Sequence, residues 1–216
     1  MQRHRCWRCG EERPTELRCG TCGAALPLRD EASYFALMGL PDHPALDVKE
    51  LEARYLSLSR ELHPDRHHGD DPRQHAASVR ASALLNQAYR TLRDLEERGR
   101  YWLRRQGEDL GRDNSRVPAG LAEMVFETHD LLSRLRRGDA TERPSLREET
   151  SRAKEEIATR ILSERKRLSE ILERWPVESN GQGHAATSLS RQLKDVLSEL
   201  SYLRTLEREV LSALEV

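Results

Sequence analysis

Apolar residues recur at helical spacing through most of the chain. Leu51, Tyr55, Leu58 and Leu62 fall at steps of four, three and four, one face of an α-helix. Ala77, Ala81, Leu84, Ala88, Leu92 and Leu95 form a second stripe, on a helix that begins near Ala76. Between them stand His63, Pro64 and Asp65. Pro64 has no N–H to continue the first helix and disfavours helical geometry at His63. The pattern predicts an antiparallel hairpin whose loop carries an imidazole and a carboxylate. A further helix is expected from about Asp94 to Arg105, and Asp47 is a candidate N-cap for the helix starting at Val48.

Gly107 to Gly120 shifts to Gly and polar residues and reads as a linker. Three more helices follow. Leu121, Val125, Thr128, Leu132 and Leu135 share the face of the first, which Gly138 ends. Arg143-Pro144 breaks the chain, and Ser145 with Glu148 forms a capping-box pattern opening the second. Its stripe is Ile157, Ile161, Leu168, Ile171 and Trp175, closed by Pro176. Beyond a Gly-rich loop from Ser179 to Gly183, the third carries Leu193, Val196, Leu200, Leu203, Val210 and Leu214. Steps of three and four suit helices crossing at a shallow angle, so the expectation is all-α, a helical hairpin and then a three-helix bundle. Phe126 and Tyr202 lie off these stripes; Tyr202 is about 200° around the helix from Leu200. Large off-stripe groups are either interface candidates or plugs between modules.

Composition sharpens this picture. Charged residues make up 34% and hydrophobic ones 37%, the balance of salt-bridged helices rather than a thick β core. The net charge of −1 and mixed-sign helices offer no basic, aromatic-interleaved stripe for nucleic acid. No stretch approaches the ~20 apolar residues of a membrane span. Arg3, Arg5 and Arg8 have no apolar run behind them, so no signal peptide is expected, and cysteines starting at residue 6 leave no room for a presequence. The expected setting is a bacterial-type cytoplasm and the expected state a monomer or weak dimer.

All four cysteines lie in two C-x2-C pairs, Cys6/Cys9 and Cys19/Cys22, each followed by Gly. A two-residue spacer lets both thiolates reach one tetrahedral metal, and the glycines permit tight turns that bring N–H groups toward sulfur. The pairs resemble zinc knuckles. Four Cys close the coordination sphere, so the role is structural; zinc is expected, iron fits the same ligands, and disulfides suit an oxidising compartment only. A module this small needs the metal to fold. The expected modules are residues 1–29, 30–106, the linker 107–120, and 121–216.

The sequence His63-Pro64-Asp65, followed by a helix containing Asn86-Gln87-Ala88-Tyr89-Arg90-Thr91-Leu92, resembles a J-domain of the DnaJ class. Ser33 to Pro41, "SYFALMGLP", resembles the opening of the HscB-like co-chaperones of iron–sulfur cluster biogenesis. The resemblance implies that His63, Pro64 and Asp65, with Lys49, Arg54, Arg60 and Arg66, contact the ATPase domain of a DnaK/HscA-class chaperone. It also implies that the C-terminal bundle binds an iron–sulfur scaffold protein. "VFETHDLL" (Val125 to Leu132) and "LSYLRTL" (Leu200 to Leu206) are similar to family segments that would give Phe126, Glu127, Asp130 and Tyr202 to that surface. Ala122, Glu123, Thr128 and His129 depart from the family pattern.

The leading expectation is therefore a non-enzymatic co-chaperone; no phosphate loop, nucleophile–base pair or open metal site is visible. The alternatives are a DnaJ-class protein with a different client, or a zinc-ribbon nucleic-acid binder with a helical oligomerisation arm.

Overall fold

The computed structural model describes residues 4–13, 19–26, 33–67, 71–110, 117–176 and 184–215. The Gly-rich loop expected at Ser179 to Gly183 and much of the linker, 111–116, lie outside them. The chain divides into two compact units, Met1–Arg98 and Gly99–Val216.

The first unit opens with a two-stranded antiparallel ribbon, β1 (His4–Arg5) and β2 (Glu12–Arg13), paired His4 to Arg13 and Arg5 to Glu12. Its helices are α1 (Tyr34–Leu37), α2 (Val48–Leu62) and α3 (Pro72–Arg93), and the start of α4 (Leu95–Arg105). Ser33 accepts from the Phe35 N–H and Asp47 from the Lys49 N–H, the side-chain caps that non-helical Ser and Asp supply at helix starts. Phe35, Met38, Leu51, Leu62, Leu85 and Leu92 are fully buried together. Leu85 lies outside the predicted stripe, whereas Ala77 and Leu84, predicted for it, are only half-buried. The second helix of the hairpin begins at Pro72 and not near Ala76, because Asp71 caps the Arg73 N–H at 2.8 Å and Pro72 takes the first helical position, where a missing N–H costs nothing.

The second unit is the predicted three-helix bundle, α5 (Ala122–Arg137), α6 (Arg143–Glu173) and α7 (His184–Glu215), joined by the latter half of α4. The expected stripes face inward: Leu121, Val125, Thr128 and Leu132; Ile157, Ile161, Leu168, Ile171 and Trp175; and Leu193, Val196, Leu200, Leu203 and Val210 are all buried. Leu135 and Leu214, at the stripe ends, are half-buried. Gly99 of α4 sits so close to α6 and α7 that an added Cβ would meet Leu168 and Leu197 methyls at 3.2 and 3.3 Å. Trp102 packs edge-on against Trp175, centroids 5.7 Å apart. The capping box at Ser145 does not form. α6 starts two residues earlier with Pro144 in its first turn, and Asp139 gathers the Thr141 and Glu142 N–H groups before it. Ser145 is left inside the helix, 3.5 Å from Glu149. No described helix is long and apolar enough to cross a membrane.

Candidate functional site

Three surfaces carry chemistry, and the first is the cysteine cluster. Each C-x2-C-G segment folds into the same knuckle. The Gly10 N–H donates to the Cys6 carbonyl at 2.9 Å and the Gly23 N–H to that of Cys19 at 2.8 Å. The loop then closes by Cys6 N–H to Glu11 O and Cys19 N–H to Ala24 O. Gly10 and Gly23 have φ of 74° and 71°, the left-handed region where a Cβ is strained. The N–H that reaches the Cys6 sulfur is Arg8's, at 3.4 Å, and not the glycine's. Cys6 and Cys19 are buried.

The four sulfurs all lie within 4.8 Å of one another, with Cys6–Cys22 and Cys9–Cys19 separations of 3.6 Å. A tetrahedron with metal–sulfur bonds of ~2.3 Å has edges of about 3.8 Å, whereas a disulfide needs about 2.05 Å. The donor set therefore fits one four-coordinate ion. Protonation follows the same logic. The Cys22 N–H, helped by that of Thr21 and by the Cys9 and Cys22 thiols and opposed by desolvation, holds Cys19 down at about 6. The Glu11 N–H pulls Cys9 down too, but desolvation and the sulfurs of Cys22, Cys19 and Cys6 push it up to about 12. Four adjacent thiols do not ionise together without a cation to offset their repulsion.

The second surface is the turn after α2. His63 ends the helix in an extended conformation (ψ 128°), and Pro64–His67 form a single 3-10 turn where an open loop was expected. The Asp65 N–H donates to His63 Nδ1 at 3.3 Å, and the Asp65 carboxylate stands 3.6 Å from the same nitrogen. This arrangement presents the carboxylate outward; its side chain is 85% exposed. Behind it, Ser78 and Ser82 of α3 both donate to the Leu62 carbonyl, at 2.7 and 3.0 Å. That carbonyl is one of the acceptors a helix end leaves orphaned. Tyr55 stacks on Tyr89 at 4.0 Å and donates to Asn86 at 2.8 Å, fixing α2 along α3. The serines were missed by sequence reading, although their i, i+4 spacing on the inner face of α3 is a visible signal.

Of the basic residues, Lys49 and Arg60 lie within about 20° on α2, with exposed Leu56 between them. Arg54 is turned about 140° from Lys49 and pairs with Glu50 at 3.6 Å. The side chain of Arg66 lies outside the described residues. Removing both serine hydroxyls, Ser78→Ala with Ser82→Ala, is expected to cost ~1–3 kcal/mol, since the Leu62 carbonyl loses both donors. Chemical denaturation measures this, and faster hydrogen exchange at Asp65 reports the loosened turn.

The third surface is on the bundle. Phe126 is 75% exposed on the crest of α5. One turn on, His129 contacts Glu209 of α7 at 3.1 Å and lines a shallow groove with Tyr202, Thr205 and Leu206. Asp130 lines the groove on the other flank, toward α6, with Arg134 and Glu149. The ridge of α5 thus sets Tyr202 and Asp130 on opposite sides of Phe126's line. Glu127 is exposed, about 100° around from Phe126. Tyr202 is half-buried by its groove rather than fully off the core, because α5 approaches α7 there. His129 and Glu209 were not expected at this surface.

The DnaJ domain family model matches residues 33–101, which span the capped α1, the hairpin and its turn. Residues 33–101 therefore carry a DnaJ domain. The iron–sulfur cluster co-chaperone protein HscB homolog of Arabidopsis thaliana is 26% identical over 152 residues, 70% of this chain and 58% of that protein. The co-chaperone protein HscB of Proteus mirabilis is 34% identical over 80 residues, 37% of this chain and 46% of that one. The chain thus spans roughly half the length of these curated relatives. In fold it matches human co-chaperone protein HscB with a TM-score of 0.69, at 20% identity, over 99% of this chain and 100% of that one. Chaperone HscB from Vibrio cholerae gives 0.65 at 22% identity, over 85% and 98%. These solved structures share the fold of this chain, in which a four-cysteine cluster precedes the DnaJ domain.

Proposed function

We propose that the protein is a co-chaperone of iron–sulfur cluster biogenesis. Its J-domain stimulates the ATPase of a DnaK/HscA-class chaperone, while its C-terminal bundle holds an iron–sulfur scaffold protein for delivery. The observation that carries the reading is the exposed Asp65 carboxylate on a turn clamped from behind by Ser78 and Ser82, inside a DnaJ domain. The name of the Arabidopsis relative, an iron–sulfur cluster co-chaperone, supports the iron–sulfur setting, and the scaffold client rests on the resemblance of the bundle segments.

The chain performs no chemistry of its own in this reading. His63 orders the turn through the Asp65 N–H, and Asp65 offers an ionic or hydrogen-bonding contact to the chaperone, with Lys49, Arg54, Arg60 and Arg66 as further contacts. Binding that favours one chaperone conformation shifts the chaperone's equilibrium by the difference in affinity between its states. Cys6, Cys9, Cys19 and Cys22 hold one structural zinc. Residues 1–29, 30–106 and 121–216 serve as metal, chaperone and client modules, in the cytoplasm. Single-turnover ATP hydrolysis by the chaperone, with and without this protein and the scaffold, tests the reading. No stimulation by the intact protein refutes it.

Client binding should depend on the bundle's aromatics. Phe126→Ala and Tyr202→Ala are each expected to weaken scaffold binding at least ~30-fold, as loss of a central aromatic costs ~2 kcal/mol or more. Glu127→Ala and Asp130→Ala should have smaller, salt-sensitive effects. Calorimetry gives the affinities. The melting temperature must be followed alongside, above all for the half-buried Tyr202.

A further inference from the structure

The groove that holds Tyr202 runs on, through shared Thr205 and Glu209, into a larger cleft of 630 Å3 at the far end of the bundle. Three helices contribute arginines to it: Arg136 from α5, Arg143 and Arg147 from α6, and Arg208 from α7. Leu135 and Ala213 give it apolar lining. Several charges elsewhere on this unit are matched: Arg134 with Glu149, Arg160 with Glu164 and Glu199, Arg152 with Glu148, Arg204 with Glu207. In the cleft none of the four arginines pairs with a carboxylate among the described residues. The cleft's one acid, Glu209, is turned to His129.

Two of the four guanidiniums are already positioned by neutral acceptors. Arg147 donates to the Leu214 carbonyl at the end of α7, and Arg208 to the Arg204 carbonyl and the Thr205 hydroxyl, both at 3.2 Å. Each keeps further N–H groups for a ligand. A positioned guanidinium fork suits a planar carboxylate and loses less side-chain entropy on binding it. In a chain of net charge −1, four unmatched cations converging from three helices onto an apolar floor make a local field of one sign.

We propose that this cleft is a binding site for an acidic amphipathic peptide segment of a partner protein, with carboxylates on the four arginines and apolar side chains over Leu135 and Ala213. The apolar floor favours a peptide over a free phosphate, which has nothing to place there. The assignment stands on the chemistry of the cleft and not on the identity of the client.

The test uses the full chain and a synthetic amphipathic peptide of about four helical turns with Leu on one face and Glu on the other. A twin with Lys for Glu, and tripolyphosphate, serve as competing probes. The Leu/Glu peptide is expected to bind saturably and to shift the guanidinium Nε–H resonances of Arg136, Arg143, Arg147 and Arg208; the Lys twin should not. Arg143→Gln with Arg208→Gln should weaken it at least tenfold with the melting temperature unchanged. Lys154→Gln with Arg191→Gln, the same charge loss elsewhere on the unit, should change it less than twofold. Equal weakening by both pairs would show a diffuse charge effect and overturn the site, as would the absence of saturable shifts. Tripolyphosphate binding the same arginines more tightly than the peptide would overturn the peptide assignment in favour of a phosphate ligand.

Discussion

Asp65→Asn is expected to abolish stimulation of the DnaK/HscA-class ATPase while leaving helicity and melting temperature nearly unchanged. The substitution keeps the side chain's size and removes its charge. The folded chain makes little use of that charge: the carboxylate is 85% exposed, and its nearest recorded partner is His63 Nδ1 at 3.6 Å, itself half in solvent. The hydrogen bond that shapes the turn comes from the Asp65 backbone N–H, which Asn retains. Exposed substitutions of this kind change stability by less than ~0.5 kcal/mol. A lost charge-assisted contact at the chaperone, by contrast, costs several kcal/mol when it leaves a desolvated partner unpaired. A single-turnover ATPase assay and a thermal melt on the same preparation decide the matter. A mutant that melts markedly lower would make Asp65 a structural cap; one that stimulates normally would remove the central residue of the co-chaperone reading.

Metal removal, or Cys19→Ser, is expected to unfold the N-terminal module and to leave the helices intact. Cys6, Cys19, Ala24 and Leu26 form nearly the whole apolar cluster there, with Trp7 and Cys22 against it, and two of those buried residues belong to the proposed ligand set. Such a core cannot offset the entropy of ordering the segment, whereas a structural zinc contributes on the order of 10–16 kcal/mol in comparable peptides. Trp7 reports the event directly. Its indole donates to the Ala25 carbonyl at 2.9 Å, while the other two tryptophans, Trp102 and Trp175, are buried against each other in the second unit. Chelation should therefore red-shift one tryptophan of three, release about one zinc per chain, and leave far-UV helicity within error. No bound metal, together with sulfurs that react only after reduction, would establish disulfides in its place.

The helices and the two motifs were legible because their signals are local. A stripe at a period of 3.6 residues is a property of neighbours in sequence, and Leu51, Ile157, Leu193 and Val210 are buried where their spacing placed them. The Pro64 turn and the C-x2-C-G knuckles follow from backbone sterics over a few residues, and the sulfurs meet because each knuckle is built the same way. The start of α3 was also legible and was misplaced: Asp71-Pro72 is a cap followed by a first-turn proline, but the apolar stripe begins later, at Ala77. The capping pattern at Ser145 failed for a local reason as well, since Asp139 supplies a competing set of acceptors upstream.

What only the tertiary structure decided concerns groups whose partners are distant in sequence. Ser78 and Ser82 find the Leu62 carbonyl across the hairpin. Glu164 is buried on α6, its carboxyl raised by burial and by Glu199 and held down by Arg160 and Arg167, on a face whose spacing marks it as apolar. Tyr202 is half-covered by α5, and four arginines from three helices meet at one cleft. By itself the sequence determined which residues share a face of each helix, since a helix's geometry is set by its own backbone. Which neighbour covers that face, and which charges remain unmatched, depended on how the helices packed, because burial and Coulomb attraction act through space and not along the chain.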